Sequence, residues 1–271
     1  MRSTKPMNFQ SFMSKSNFES SPLFLKKTGP LTPSEIQWML SCDGGEAPAE
    51  VTEIRTEKVR KIFCEIPANS KVLDVGCANG AVLKSFTGKH ELHGVDISEV
   101  LVEAACANGF KAKVHDLMQG PLPYADGTFD VVFNGENIEH QLDTDWLLLE
   151  INRVLKPGGK LVLTFPNIRT PTGIAMMLFF DMPPMYSSRY RSGHFRDFTL
   201  RSIKLALGKH GFQHTKSVGS AFFLPKIGEF WSGLASLLPS WSHQIVTVAT
   251  KVENSKYVPD SWRKDSRIFG S

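Results

Sequence analysis

Apolar and polar positions alternate between two periods along the central part of the chain. Val51, Ile54, Val59, Ile62 and Phe63 recur at helical spacing. Val72, Leu73 and Val75 then form a short apolar run ending at Gly76, which reads as a buried strand. Ala81 to Phe86 reads as a helix, and Leu92 to Asp96 as a second strand. Ser98 is a helix N-cap, and Gly109 stops the helix near Asn108. Lys113 to Asp116 makes a weaker third strand, and Phe129 to Asn134 a fourth. Asp143 caps a helix through Leu155 that ends at Lys156-Pro157-Gly158-Gly159, and Lys160 to Phe165 is a fifth strand. Strands alternating with helices indicate parallel β-α-β units and hence a three-layer α/β sheet.

The alternation breaks after Phe165. Residues 166–198 read as an irregular insertion rich in Pro, Met and aromatic residues. Thr199 to His210 is a helix closed by Gly211, and about Thr215–Phe222 and Gln244–Lys251 are the last two strands. An apolar segment of about 222–241 lies between them, interrupted by Pro225, Gly228, Gly233 and Pro239. This gives an N-terminal arm over 1–45, a domain over 46–251 and a polar tail over 252–271.

Composition narrows the class. The 271 residues suit one generous domain, since domains usually run about 100–200 residues. Lys and Arg number 31 against 27 Asp and Glu, and a net charge of +4 is too weak to argue for nucleic acid. No basic stripe interleaved with aromatics appears. Cys42, Cys64, Cys77 and Cys106 show no paired spacing, which argues against a disulfide framework or structural zinc and for a reducing compartment. The longest apolar run, Ile174 to Phe180, is far short of the ~20 residues that span a bilayer, so a cytoplasmic protein is expected. The first 30 residues carry Arg2, Lys5, Lys15, Lys26 and Lys27 against Glu19 alone. That arm packs on the domain, frays, or serves as a transit segment.

In an open α/β sheet, ligands bind outside the carboxyl ends of the strands. There the chain places Asp74-Val75-Gly76-Cys77-Ala78-Asn79-Gly80, then Asp96, then Asp116. Glycines let the backbone approach a ligand and leave amides free to donate. Asp96 lies 22 residues after Asp74, where an acid can accept both hydroxyls of a ribose, and Asp116 where an adenine amino group can be read. The G-x-G-x-x-G of nicotinamide enzymes is absent from the first turn, which argues against a nicotinamide oxidoreductase.

Val72 to Gly80, Gly94 to Ser98, Leu122 to Asp130 and Leu155 to Gly159 together resemble the signature segments of class I S-adenosylmethionine-dependent methyltransferases. The resemblance spans about residues 50–251 and implies a Rossmann-like seven-stranded sheet with its final strand antiparallel. It implies S-adenosylmethionine as cofactor, with Asp74, Gly76, Cys77, Ala78 and Gly80 in the methionine-side loop. Asp96 with Ile97 would hold the ribose, and Asp116 with Leu117 the adenine, with Asn134 at the end of the fourth strand beside them. Ala78 stands where family members often have glycine, and a minor adjustment is expected.

Glu136, Glu139 and His140 follow the fourth strand at i, i+3, i+4 spacing, which places them on one face of a helix. Two carboxylates and an imidazole there suit a divalent cation, or merely cap and solvate the helix start. The segment is similar to the ExxEH element of ubiquinone-biosynthesis O-methyltransferases and small-RNA 2′-O-methyltransferases. In the former an asparagine after the fifth strand completes a metal site, which Asn167 matches, so magnesium or another divalent cation is implied. His194, in Ser192 to Phe198, is a general-base candidate or caps the following helix; His140 and Glu139 are the other catalytic candidates. Arg189, Arg191 and Arg196 are surface charge or receive an anionic acceptor.

The Met176–Met185 stretch and the 222–241 segment read as lids that exclude water, with a lipid-linked acceptor or peripheral membrane contact as the alternative. Neither basic charge nor a continuous helix supports a membrane-surface helix in the second segment. The sequence thus points to O-methylation of a sugar, glycan or small-metabolite hydroxyl, with a quinone-like or lipid-linked acceptor, or a non-catalytic binding protein of the same fold, as alternatives.

Overall fold

A computed structural model describes residues 53–181, 194–224 and 228–258. The whole N-terminal arm, Met182 to Gly193 with Met185, Arg189 and Arg191, Pro225 to Ile227 and the end of the tail lie outside the described residues. Helix α1 (Glu53–Cys64) leads into β1 (Lys71–Val75), β2 (Glu91–Asp96), α2 (Glu99–Ala107) and β3 (Lys111–Val114). Next come β4 (Phe129–Gly135), α3 (Thr144–Val154) and β5 (Leu155–Pro166). The second half holds α4 (Pro171–Phe180), α5 (Leu200–Lys209) and β6 (Phe212–Gly219), then a hairpin of β7 (Phe222–Leu224) and β8 (Gly228–Phe230). Short α6 (Ser232–Leu237) and β9 (Gln244–Lys251) close the domain.

The main sheet is seven-stranded in the order β3-β2-β1-β4-β5-β9-β6. The pairs β1–β2, β1–β4, β2–β3 and β4–β5 are parallel, and β9 runs antiparallel to both β5 and β6. This is the expected sheet with its last strand reversed. β1 and β4 are buried along nearly their whole length because helices cover both faces. One face packs Leu73, Val132, Ile151, Leu163 and Ile203; the other packs Phe63, Val72, Phe86, Phe133 and Val246.

Side-chain caps start the helices where the sequence places them. Ser98 Oγ accepts from Leu101 N, and Asp143 Oδ1 accepts from Trp146 N at 2.8 Å. Thr199 and Ser202 form a reciprocal capping box on α5.

Four expectations need correction. Ala81 to Phe86 is not a helix but turns followed by one 3-10 turn, Lys84–Phe86. β5 starts at Leu155 rather than Lys160: Leu155 pairs with Phe129, and the register shifts before Val131–Lys160. The 166–198 insertion contains α4, whose Thr170 cap and first-turn Pro171 start a helix that is apolar all round and so carries no helical period. The sixth strand runs from Phe212 to Gly219, earlier than expected. There a side chain on Gly219 would lie 2.3 Å from Ala235 O, and the chain then leaves the sheet into its hairpin. The first tail residues also pack: Asn152 Nδ2 donates to Glu253 O at 3.0 Å, and Ser255 N donates to Asn152 Oδ1.

Candidate functional site

The turn after β1 holds three residues in the left-handed region: Gly76 (φ +76), Ala78 (φ +45) and Gly80 (φ +75). Glycine is required at two of them by space as well as by φ. A Cβ on Gly76 would lie 2.9 Å from Asn137 Cγ, and one on Gly80 2.6 Å from the Phe110 ring. Ala78 accepts the strain of a conformation that L-residues avoid. Its amide donates to Asp96 Oδ2 at 2.8 Å, which ties the loop to the end of β2.

Asp96 is buried and its Oδ1 accepts from Ser98 N at 3.0 Å. Burial pushes its carboxyl up, against the pull of amides from Ser98, Ala78 and Ile97. At the end of β3, Asp116 Oδ1 accepts from Met118 N, while its Oδ2 is buried without a partner. Leu117 is buried beside it, its carbonyl accepting from Trp146 Nε1. Asp74 is buried on β1 with Oδ1 unpartnered, its carboxyl pushed well up by burial and by Asp96. Asn134 Nδ2 donates to Val75 O at 2.9 Å, leaving Oδ1 buried and unpaired. Cys77 is buried, and burial keeps its thiol protonated. An unmade hydrogen bond at a buried polar atom costs about 1–3 kcal/mol. Unpaired acceptors on β1, on β4 and just past β3, around a loop fixed to Asp96 on β2, fit a ligand rich in N–H and O–H donors. That is the polar inventory of S-adenosylmethionine.

Past β4 the expected helical face does not form. Ile138–His140 is one 3-10 turn, and Glu136 precedes it with φ +48. Glu136 Oε2 instead lies 3.0 Å from Arg55 Nη1 and accepts from Gln244 Nε2 at 3.0 Å. Asn167 is also turned away from the proposed metal set. Its Nδ2 donates to Ser240 O and Ser242 O at 3.1 and 2.8 Å, and its Oδ1 accepts from Arg169 N. It braces the end of β5 against the segment before β9.

The structure gathers Glu139, His140 and His194 in their place. One ligand atom from each lies within 4.8 Å of the others, and the two imidazoles meet edge to face with centroids 4.7 Å apart. Phe195 N and Arg196 N both donate to Glu139 O, pinning the distant His194 segment to the 3-10 turn. Glu139 is 1% exposed with Oε2 unpartnered; burial, then Glu136, push its carboxyl well up. Burial, then His140, depress His194 to about 4, so its ring is neutral at pH 7. Such a group can take a proton from a hydroxyl or ligate a cation. Arg196 Nη2 donates to Leu142 O at 3.0 Å, a bracing contact.

Arg55 and Gln244 contact Glu136, and Glu229 and His243 lie within electrostatic reach of Arg55 and Glu136, without any signal in the local sequence. The apolar lid expectation is not met by the described residues of α4: Leu178, Phe179 and Phe180 are 71–74% exposed.

Residues 73–163 match a family model described as a methyltransferase domain. The chain is 35% identical over 137 residues to a 27-O-demethylrifamycin SV methyltransferase of Amycolatopsis mediterranei, covering 46% of this chain and 50% of that protein. It is 32% identical over 115 residues to a ubiquinone biosynthesis O-methyltransferase of Xanthomonas oryzae pv. oryzae, covering 40% and 48%. The chain therefore spans about half the length of these curated relatives. An S-adenosylmethionine-dependent methyltransferase from Aquifex aeolicus shares the fold at a TM-score of 0.53 and 17% identity, covering 81% of this chain and 98% of that one. With the strand order, the glycine turn and the acids on successive strand ends, the match identifies a methyltransferase domain over residues 73–163, in a fold shared with S-adenosylmethionine-dependent methyltransferases.

Proposed function

We propose that this chain is an O-methyltransferase acting on a hydroxyl of a small-molecule or glycan acceptor. The observation that carries the reading is the adjacency of two different sites on one sheet edge. The ends of β1 to β3 offer unpaired acceptors to a cofactor, and the end of β4 offers a buried Glu-His-His group to a reacting oxygen. The relatives named for rifamycin and ubiquinone O-methylation agree with a hydroxyl acceptor.

S-adenosylmethionine supplies a sulfonium methyl already activated for attack. The chain's own work is alignment and proton removal. Gly76, Cys77, Ala78 and Gly80 would present backbone to the bound cofactor; Asp96 and Ile97 would hold its ribose, and Asp116, Leu117, Asp74 and Asn134 would meet its remaining donors. His140 takes the hydroxyl proton, and neutral His194 orients it across the edge-to-face contact. Fixing two reactants in line supplies much of the rate enhancement by itself.

A second reading has its own observation. Glu139, His140 and His194 form a carboxylate–imidazole set that fits a divalent cation, and two imidazoles suit manganese or zinc better than magnesium.

The test is calorimetric titration of S-adenosylhomocysteine into metal-stripped protein, repeated with magnesium and with manganese. Micromolar binding is expected, and a separate heat with manganese supports the cation reading. Absence of binding would overturn the cofactor assignment and favour an interaction module of the same fold.

A further inference from the structure

Three carboxylates on the acceptor side each keep one buried oxygen without a hydrogen-bond partner: Glu136 Oε1, Glu139 Oε2 and Glu229 Oε1. They come from two distant parts of the chain, the end of β4 and the β7–β8 hairpin. Arg55, on α1, links them. It pairs with Glu136 at 3.0 Å, and both residues act electrostatically on Glu139 and on Glu229. The guanidinium carries five donors in a fixed plane, and among the described residues it pairs with Glu136. Glu139, nearly fully buried, shows that these oxygens are not simply hydrated surface acids.

We propose that the Arg55–Glu136 pair and Glu229 form a subsite for a polyhydroxylated acceptor, holding hydroxyls next to the one that is methylated. This rests on the methyltransferase reading above and adds the substrate class. A hydroxyl both donates and accepts, so a row of them satisfies unpaired carboxylate oxygens and spare guanidinium N–H groups together. A monohydroxylated phenol brings one donor and leaves two of the three oxygens desolvated, which disfavours it. An ammonium group is met by Arg55 as well as by the acids.

The experiment uses the full chain and methyl-labelled S-adenosylmethionine. Methyl glucopyranoside, methyl rhamnopyranoside and myo-inositol are compared with 4-methylphenol as acceptors, and S-adenosylhomocysteine affinity is measured alongside. Transfer to at least one polyol at a higher kcat/KM than to the phenol is expected. Glu229→Gln should raise the polyol KM roughly tenfold or more, with kcat nearly kept. Glu229→Asp should recover part of that loss, with S-adenosylhomocysteine affinity and Tm unchanged in both variants. Preference for the phenol, transfer to none of the polyols, an unchanged KM in Glu229→Gln, or a lowered Tm in it would each overturn the proposal. Failure to bind S-adenosylhomocysteine would instead strike the methyltransferase reading itself.

Discussion

The two halves of the sheet's carboxyl edge are built by different rules. On the β1–β3 half, the fixed side chains are held by backbone amides of the strand-end turns. Asp96 accepts from Ala78 and Ser98, and Asp116 accepts from Met118 two residues on. On the β4–β9 half the functional groups meet across long stretches of chain. Arg55 reaches Glu136, Gln244 reaches Glu136, and the amides after His194 reach Glu139. The cofactor is the constant reactant, so a locally determined cradle serves it. On the reading proposed above, the acceptor side is assembled from α1, the β7–β8 hairpin and the insertion.

The sharpest way to separate the halves is Glu139→Ala with His140→Ala. Loss of turnover by about 10²–10⁴ is expected, with S-adenosylhomocysteine affinity kept. Retained activity would remove the base-or-cation role. The reciprocal change, Asp96→Ala, should weaken S-adenosylhomocysteine binding by ~1–3 kcal/mol in calorimetry, because a charged acceptor to buried hydroxyls is lost. Equal affinity would refute the ribose assignment.

Gly80→Ala tests whether the cradle is held by its backbone. With φ at +75 and the Phe110 ring 2.6 Å from the added Cβ, stability should fall by about 1–3 kcal/mol, read by denaturant titration. An unaltered midpoint would mean that the loop relaxes freely.

A smaller effect is tied to pH on the acceptor half. Burial lowers His194 from its ordinary 6.5 to about 4, so between those values the unfolded chain binds a proton that the folded one refuses. Its share of stability is complete above about pH 6.5 and drains away as pH falls toward 4. Urea titrations across that window should be less pH-dependent in His194→Gln; an identical slope would place the ring in water. Smallest of all is Ala78→Gly. Relief of φ +45 opposes the greater freedom of unfolded glycine, so a change within about 1 kcal/mol is expected, and a larger loss would show that the methyl group packs.

The legible parts of the molecule were the local ones. Strands β1, β2 and β4 showed as apolar runs because their sheet is covered on both faces, and Ser98, Asp143 and Thr199 announced their helices through caps one turn long. Helix α4 was illegible because an all-apolar segment has no period to read. The spacing of Glu136, Glu139 and His140 misled for a related reason. It presumes a continuous helix, and the left-handed backbone at Glu136 rotates that side chain out of the set.

Asn167 shows the limit of motif matching. The motif says nothing of the carbonyls of Ser240 and Ser242, more than seventy positions away, which accept from the Asn167 amide nitrogen and brace it against the segment before β9. The sequence by itself determined the sheet, the glycine turn and the acids at the strand ends, because periodicity, caps and turn chemistry act over a few residues. The tertiary structure alone decided that His194 joins Glu139 and His140, and that Arg55 and Glu229 flank Glu136. Those contacts are set by how distant elements pack, and the charge, burial and hydrogen-bond pairing that packing imposes are written at no single place along the chain.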